Sequence, residues 1–133
     1  MGFEGDLLNG WPEDGEPDKS TLYKVKLTDI GGNLVKDNAQ YKLKDNKWLN
    51  NLVLSSTMLR AKQETNGHNH KGQEEIYFFV KGQGTMTIDD CTFEVNEGDV
   101  VLIPDGAFHK VQNPTDIGLY LSLIHISEPT RQL

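Results

Sequence analysis

Residues 67–84 decide the fold, and they read GHNHKGQEEIYFFVKGQG. Two histidines, His68 and His70, lie one residue apart and are followed by Glu74 and Glu75 and then by an apolar run. Side chains alternate faces along an extended segment, so both imidazoles point to the same side. A carboxylate a few residues later can complete one face of a metal site.

Only one of the two adjacent carboxylates can point inward from a strand. Glu75 has the same parity as Tyr77 and Phe79 in the apolar run, so we predict that Glu75 faces inward and Glu74 faces solvent. Tyr77 is then an inward residue as well. It is a candidate acid or base, or a donor to substrate; the alternative is a core aromatic residue with a satisfied hydroxyl.

Outward from this stretch, the chain consists of short apolar or alternating segments separated by Gly, Asn, Asp and Pro turns. We predict strands at 22–27, 40–43, 52–60, 76–80, 85–88, 92–95, 100–103, 109–112 and from 119 onward. No segment shows a convincing helical period. The pattern predicts an all-β double-sheet sandwich or barrel of jelly-roll type.

Composition narrows the class of protein. The 133 residues fit one domain, and the net charge of −7 argues against non-specific binding to nucleic acid or to an anionic membrane. No run approaches the roughly 20 apolar residues of a membrane span, and the N-terminus does not resemble a signal peptide. The lone Cys91 excludes an intramolecular disulfide framework and fits a reducing cytosol. We therefore expect a cytoplasmic protein.

The domain prediction has three parts: an irregular arm over 1–20, a single domain over 21–120, and a non-native tail over 121–133. Residues 121–131 read LSLIHISEPTR, which matches the translation of a sequencing-library transposase adapter. We interpret the tail as an assembly scar, of the kind expected from metagenomic data, and exclude His125 as a ligand. The first half of the tail is itself strand-like, and we predict that it occupies the place of a final strand.

A second motif lies at 98–113, which reads GDVVLIPDGAFHKVQN. With it, the chain resembles the cupin superfamily, in particular its small single-domain members. The first cupin motif, G-x5-H-x-H-x(3,4)-E-x6-G, fits at His68, His70, Glu75 and Gly82. The second, G-x5-P-x-G-x2-H-x3-N, is matched at every fixed position: Gly98, Pro104, Gly106, His109 and Asn113. One departure is Lys62, which replaces the leading glycine of the first motif.

The resemblance implies a cupin double-stranded β-helix, or jelly-roll barrel, and a metal site. The implied ligands are His68, His70, Glu75 and His109. Three neutral imidazoles and one carboxylate suit Fe(II), Mn(II), Co(II), Ni(II) or Zn(II), with open positions for water or substrate. Small cupins are often homodimers, so the resemblance implies a homodimer.

Three functions remain open from the sequence. The first is a metalloenzyme acting on a small polar metabolite, in the manner of a sugar or sugar-phosphate isomerase. The second is an Fe(II)-dependent dioxygenase, and the third is a non-catalytic module that binds a small ligand. Arg60 either binds an anionic substrate or is an exposed residue at the end of a strand. The expected partner is a small molecule, with no nucleic acid and no membrane.

Overall fold

The computed structural model describes residues 23–69 and 71–127. Nine strands form there: β1 Asn33–Asp37, β2 Tyr41–Asn46, β3 Leu52–Leu59, β4 Glu75–Lys81, β5 Gln83–Ile88, β6 Cys91–Asn96, β7 Val100–Ile103, β8 His109–Gln112 and β9 Leu119–Ile126. The predicted all-β jelly-roll fold is confirmed. Within these ranges, no helix is long and apolar enough to cross a membrane.

The strands form two antiparallel sheets. The larger sheet has six strands in the order β1-β2-β3-β9-β4-β7, and the smaller has three in the order β6-β5-β8. Residues 63–68 lie alongside β8: the Thr65 amide donates to the Val111 carbonyl at 2.9 Å, and His68 and His109 exchange backbone bonds at 3.1 and 2.9 Å. The first histidine motif is thereby fixed against the strand that carries the second.

The core lies between the two sheets. In β4 burial alternates with period two, so that Glu75, Tyr77 and Phe79 point inward. This confirms the parity that separates Glu75 from the exposed Glu74. The other buried apolar residues packed in this core come from both sheets and, for Ala107, from the loop between β7 and β8: Leu59, Met86, Val95, Val101, Ile103, Ala107, Val111, Leu119 and Leu121.

Strand β9 lies in the middle of the larger sheet, paired with β3 on one side and β4 on the other. It includes residues 121–126 of the adapter-like stretch. The prediction that this stretch takes the place of a final strand is confirmed. At the start of β9, apolar and polar residues alternate, and Leu119 and Leu121 lie in the core.

The strand prediction at 22–27 is wrong over the described residues. Tyr23, Val25 and Leu27 are all exposed, and the segment forms only an isolated bridge between Lys26 and Asp29. Alternation produces a strand only where a neighbouring strand accepts its hydrogen bonds. Strand β2 pairs with β3 on one side, and its neighbour on the other side is Asn33–Asp37, which was not predicted.

Two motif positions shape the turns around the barrel. Lys62 has φ +65°, so the backbone keeps the left-handed conformation that suits the glycine of the cupin pattern. Its Nζ donates to the Pro114 carbonyl at 2.8 Å and lies 3.4 Å from Asp116. The departure at Lys62 therefore leaves the turn geometry intact.

Asn113 is 1% exposed and serves the architecture. Its Nδ2 donates to the carbonyls of Leu59, Arg60 and Ile117 at 3.0, 3.2 and 2.8 Å. Its Oδ1 accepts from the amide and hydroxyl of Thr115 at 3.0 and 2.7 Å. One buried amide thus joins the end of β3 to the loop that leads into β9.

Three sequence predictions lie outside the described residues. These are the arm at 1–20, the end of the tail at 128–133 and the position of His70.

Candidate metal centre

Three of the predicted ligands come together from separate parts of the chain. Glu75 begins β4 in the larger sheet, His109 begins β8 in the smaller sheet, and His68 lies on the segment beside β8. One ligand atom from each lies within 4.8 Å of the other two. The cluster therefore sits where the two sheets face each other.

His109 presents a buried lone pair to this cluster. The residue is 2% exposed, and its Nδ1 lies 3.1 Å from the Ala107 carbonyl oxygen. A carbonyl can only accept, so this bond places the proton of the neutral imidazole on Nδ1. Nε2 has no hydrogen-bond partner among the described residues and lies 3.7 Å from Oε2 of Glu75.

This geometry fits a divalent metal. An Nε2 lone pair and a carboxylate oxygen both need a positive partner, and burial without one is costly. Two ligand atoms bound to a tetrahedral ion at about 2.1 Å lie about 3.4 Å apart, close to the observed separation. The His68 ring packs against that of His109, with centroids 4.3 Å apart, and His68 is exposed towards the outside.

The predicted ligand set is thus only partly visible in the described chain. His68, Glu75 and His109 are brought together, whereas His70 lies outside the described residues. The four-ligand assignment remains a prediction.

Tyr77 lies beside the cluster and is itself buried. Its ring is 5.8 Å from that of His109 and nearly perpendicular to it. Burial, then the charge of Glu75, then a hydrogen bond to that carboxylate all raise the pKa of the Tyr77 phenol. The hydroxyl therefore stays protonated and is suited to donating a hydrogen bond, first of all to Glu75.

The loop between the two halves of the first motif is held by a residue that sequence reasoning missed. Oδ1 of Asp105 accepts from the amides of Gly72 and Gln73 at 2.5 and 3.1 Å. Asp105 occupies the variable position between Pro104 and Gly106, so the motif carries no signal for this role.

A second close approach fixes the position of His68. Gly67 has φ +82°, and a Cβ there would lie 2.5 Å from the Phe108 ring. Glycine satisfies both the backbone conformation and the contact. The preceding glycine thus allows His68 to approach the strand that carries His109.

The cluster opens into a cavity of about 590 Å³ between the sheets. His68, Glu75 and Tyr77 line one part of its wall, and Asp45, Ser55 and His125 line another. His125, which was excluded as a ligand because it belongs to the adapter-like stretch, lies outside the three-residue cluster. It nevertheless faces the cavity, because β9 pairs it directly with Glu75.

Arg60 is not among the residues that line this cavity. Its guanidinium donates to the Asp37 carboxylate at 2.5 Å and to the Asn38 carbonyl at 3.0 Å. Both partners lie at the end of β1. This position fits the interpretation of Arg60 as a residue at the end of a strand and not the one in which it binds an anionic substrate.

The fold and the two motifs define a cupin. The family model described as "Cupin domain" matches residues 57–125, and the chain belongs to this family. Among solved structures, a protein from Thermotoga maritima described as a predicted oxalate decarboxylase superimposes with a TM-score of 0.66 at 18% identity. The match covers 79% of this chain and 99% of that one. At this identity, the likeness concerns the fold alone.

Two relatives match over part of their length. An uncharacterised protein of Methanocaldococcus jannaschii is 36% identical over 66 residues, which are 50% of this chain and 53% of that protein. A mannose-1-phosphate guanylyltransferase of Sinorhizobium fredii is 37% identical over 54 residues, which are 41% of this chain and 10% of that enzyme. The match therefore spans about half of the first relative and a tenth of the second.

Proposed function

We propose that this cupin is a metal-dependent enzyme that acts on a small polar metabolite by sugar or sugar-phosphate isomerisation. The observation that carries the proposal is the buried Nε2 of His109, which faces the Glu75 carboxylate beside a cavity. A buried lone pair and a carboxylate at this distance are the donor set of a divalent transition-metal site. Part of the chain is similar to part of a mannose-1-phosphate guanylyltransferase, which is consistent with a sugar as the core of the substrate.

The residues of the chain have distinct roles in this proposal. His68, His70, Glu75 and His109 would hold the ion, and the hydrogen bond from Tyr77 orients the Glu75 carboxylate. A divalent ion there would supply a Lewis acid that binds adjacent oxygens and polarises a carbonyl group. Tyr77 remains the proposed catalytic side chain: its one phenolic proton is bonded to Glu75 in the absence of substrate and would turn to a substrate oxygen when substrate binds.

The metal site is tested by elemental analysis of protein expressed without a histidine tag. We expect one divalent transition metal per chain in the wild type and loss of stoichiometric metal in His68→Ala and in His109→Ala. Glu75→Gln and Glu74→Gln form a matched pair, because only Glu75 faces the cluster. The metal content should therefore fall in Glu75→Gln and stay at the wild-type level in Glu74→Gln. Equal metal content in the wild type and both histidine variants would remove the proposal.

The reaction is tested by assaying aldose and ketose interconversion with the native metal, in air and without oxygen. Isomerisation consumes no oxidant, so we expect equal rates in both atmospheres. Strict dependence on oxygen would instead favour the dioxygenase. Bound metal without turnover of any sugar, acid or phenolic substrate would favour a non-catalytic binding module.

We also propose a homodimer and a cytoplasmic location. The two edge strands of the larger sheet, β1 and β7, carry exposed apolar residues: Leu34, Val35, Val100 and Leu102. Edge strands with exposed apolar side chains favour pairing with another chain. Light scattering coupled to size-exclusion chromatography tests the dimer, and a monomer across the micromolar range would contradict it.

A further inference from the structure

Strands β2 and β3 form part of the cavity wall and lie in the same sheet as β4, which carries Glu75. Asp45 on β2 is directly opposite Ser55 on β3 in the register, so both side chains project from the same face of the sheet. Both line the cavity. Continuing along this row, Ser55 pairs with Leu123 on β9, which in turn pairs with Tyr77 on β4. The row thus connects Asp45 to the neighbourhood of the metal centre.

Asp45 and Ser55 form an ordered acceptor. Ser55 is 2% exposed, and its hydroxyl donates to Oδ1 of Asp45 at 2.6 Å. Among the described residues, no lysine, arginine or histidine forms an ion pair with Asp45. One carboxylate oxygen is therefore held in place, and the other has lone pairs to offer to a ligand in the cavity.

The charge of the cavity wall selects among ligands. Its described lining contains Asp45 and Glu75 but no lysine or arginine. The other polar groups are neutral hydroxyls and amides, together with imidazoles: Tyr41, Ser55, Thr57, Thr65, Asn66, Gln73, Tyr77, His68 and His125. Phosphate and carboxylate groups are normally bound by arginine, lysine or helix N-termini. A divalent ion would offset the charge of Glu75. Asp45 has no cationic partner among the described residues, so an anionic group beside it would still face a like charge. Carboxylates and neutral hydrogen-bonding groups suit the hydroxyls of an uncharged ligand.

The distance that a ligand must span follows from the strand register. Asp45 and Tyr77 are separated by three strand spacings, which is about 14 Å along the sheet at most. A molecule with one or two sugar rings can contact both ends of the cavity.

We propose that Asp45 and Ser55 form the specificity site of this cupin, and that its substrate is an uncharged polyhydroxylated molecule of one or two sugar rings. The inference rests on the proposed function and narrows its substrate class, because it excludes the phosphorylated sugars. Asp45 accepts hydrogen bonds from ligand hydroxyls, and Ser55 holds the carboxylate in position. His125 belongs to the adapter-like stretch, so the site is assigned to Asp45 and Ser55 without it.

Ligand-observed NMR titrations on the full chain test the assignment, with both metal-free and metal-loaded protein. The probes are D-mannose, D-fructose and maltose, the 6-phosphates of mannose and fructose, and D-glucosamine as a cationic comparison. We expect at least one neutral sugar to bind, and at least tenfold more tightly than its phosphate. Asp45→Asn should reduce this preference at least tenfold, and Ser55→Ala should weaken binding of the neutral sugar about threefold.

Asp90→Asn serves as the matched control, because it removes one carboxylate from an exposed hairpin. It should leave the preference unchanged. Equal or tighter binding of a phosphate, tighter binding of glucosamine, binding unaffected by Asp45→Asn, or no binding of any neutral sugar would each overturn the assignment.

Metal analysis of the same samples separates this inference from the proposed function. Asp45 lies outside the metal cluster, so Asp45→Asn should keep the metal content of the wild type. A wild type that binds no metal contradicts the proposed enzyme. In that case, a preference of the metal-free protein for neutral sugars that depends on Asp45 would still support the specificity site.

Discussion

Replacing Asn113 with alanine tests whether one buried amide holds the loop before β9 in place. The Nδ2 group donates to three carbonyls, those of Leu59, Arg60 and Ile117, and Oδ1 accepts twice from Thr115. An amide has two N–H groups, so the three carbonyls share two protons. Alanine removes about four hydrogen bonds, at roughly 1 kcal/mol each, and leaves buried carbonyls unpaired.

We therefore expect Asn113→Ala to lower the free energy of unfolding by about 4 kcal/mol. For a domain of this size, that loss corresponds to a melting temperature lower by about 15 °C. Urea and thermal unfolding, followed by far-ultraviolet circular dichroism, measure both quantities. Metal content at low temperature should stay at the wild-type level, because Asn113 contacts none of the three clustered ligands.

Asn113→Asp is the isosteric partner of this experiment. It keeps the acceptor that Thr115 uses, but removes both N–H groups and places a carboxylate oxygen against three carbonyl oxygens. The aspartate variant should lose at least as much stability as the alanine variant. A loss below about 1 kcal/mol in both variants would refute the account, since the amide would then contribute no more than one ordinary hydrogen bond.

Three further substitutions test the turns around the metal centre. Lys62→Gly should raise the free energy of unfolding in urea by about 0.5 kcal/mol, because glycine adopts the positive φ without strain and the exposed contacts of the lysine contribute little. An unchanged or lower free energy would show that Lys62 is not strained at this φ. Gly67→Ala should cost about 2–3 kcal/mol by the same measurement, because its Cβ meets the Phe108 ring and φ is +82°, and a neutral result would mean that the ring moves freely. Asp105→Ala should weaken metal binding about tenfold in a competition assay with a chelator, because the loop at Gly72 and Gln73 loses its anchor. Unchanged affinity would show that the loop is ordered without Asp105.

Much of the fold was predictable because turn residues and alternation act locally. Gly82 and Gly98, with φ values of +101° and +93°, lie at strand ends where the sequence predicted turns. The parity rule placed Glu75 inside and Glu74 outside, since successive side chains of a strand cannot share a face.

Pairing between distant strands was not predictable, because register is set by contacts that are remote in sequence. The hydrogen bond between Asp45 and Ser55 joins two residues with no motif in common. The alternating residues 22–27 likewise gave a strand prediction where the fold provides no neighbouring strand for them. The spacing of the motifs predicted residues that the fold brings together, namely His68, Glu75 and His109. The cavity wall has no such pattern, because it is assembled only when the sheet closes.

The central position of β9 has a consequence for the order of assembly during synthesis. Strands β3 and β4 follow one another along the chain, yet in the larger sheet each is bonded to β9 and not to the other. The two parts of that sheet can therefore join only once residues 119–126 have left the ribosome. Until then, each part presents an open edge, and contacts of long sequence separation form late. The barrel closes in one late step, in which the last of the nine strands in the described residues completes the sheet that carries Glu75.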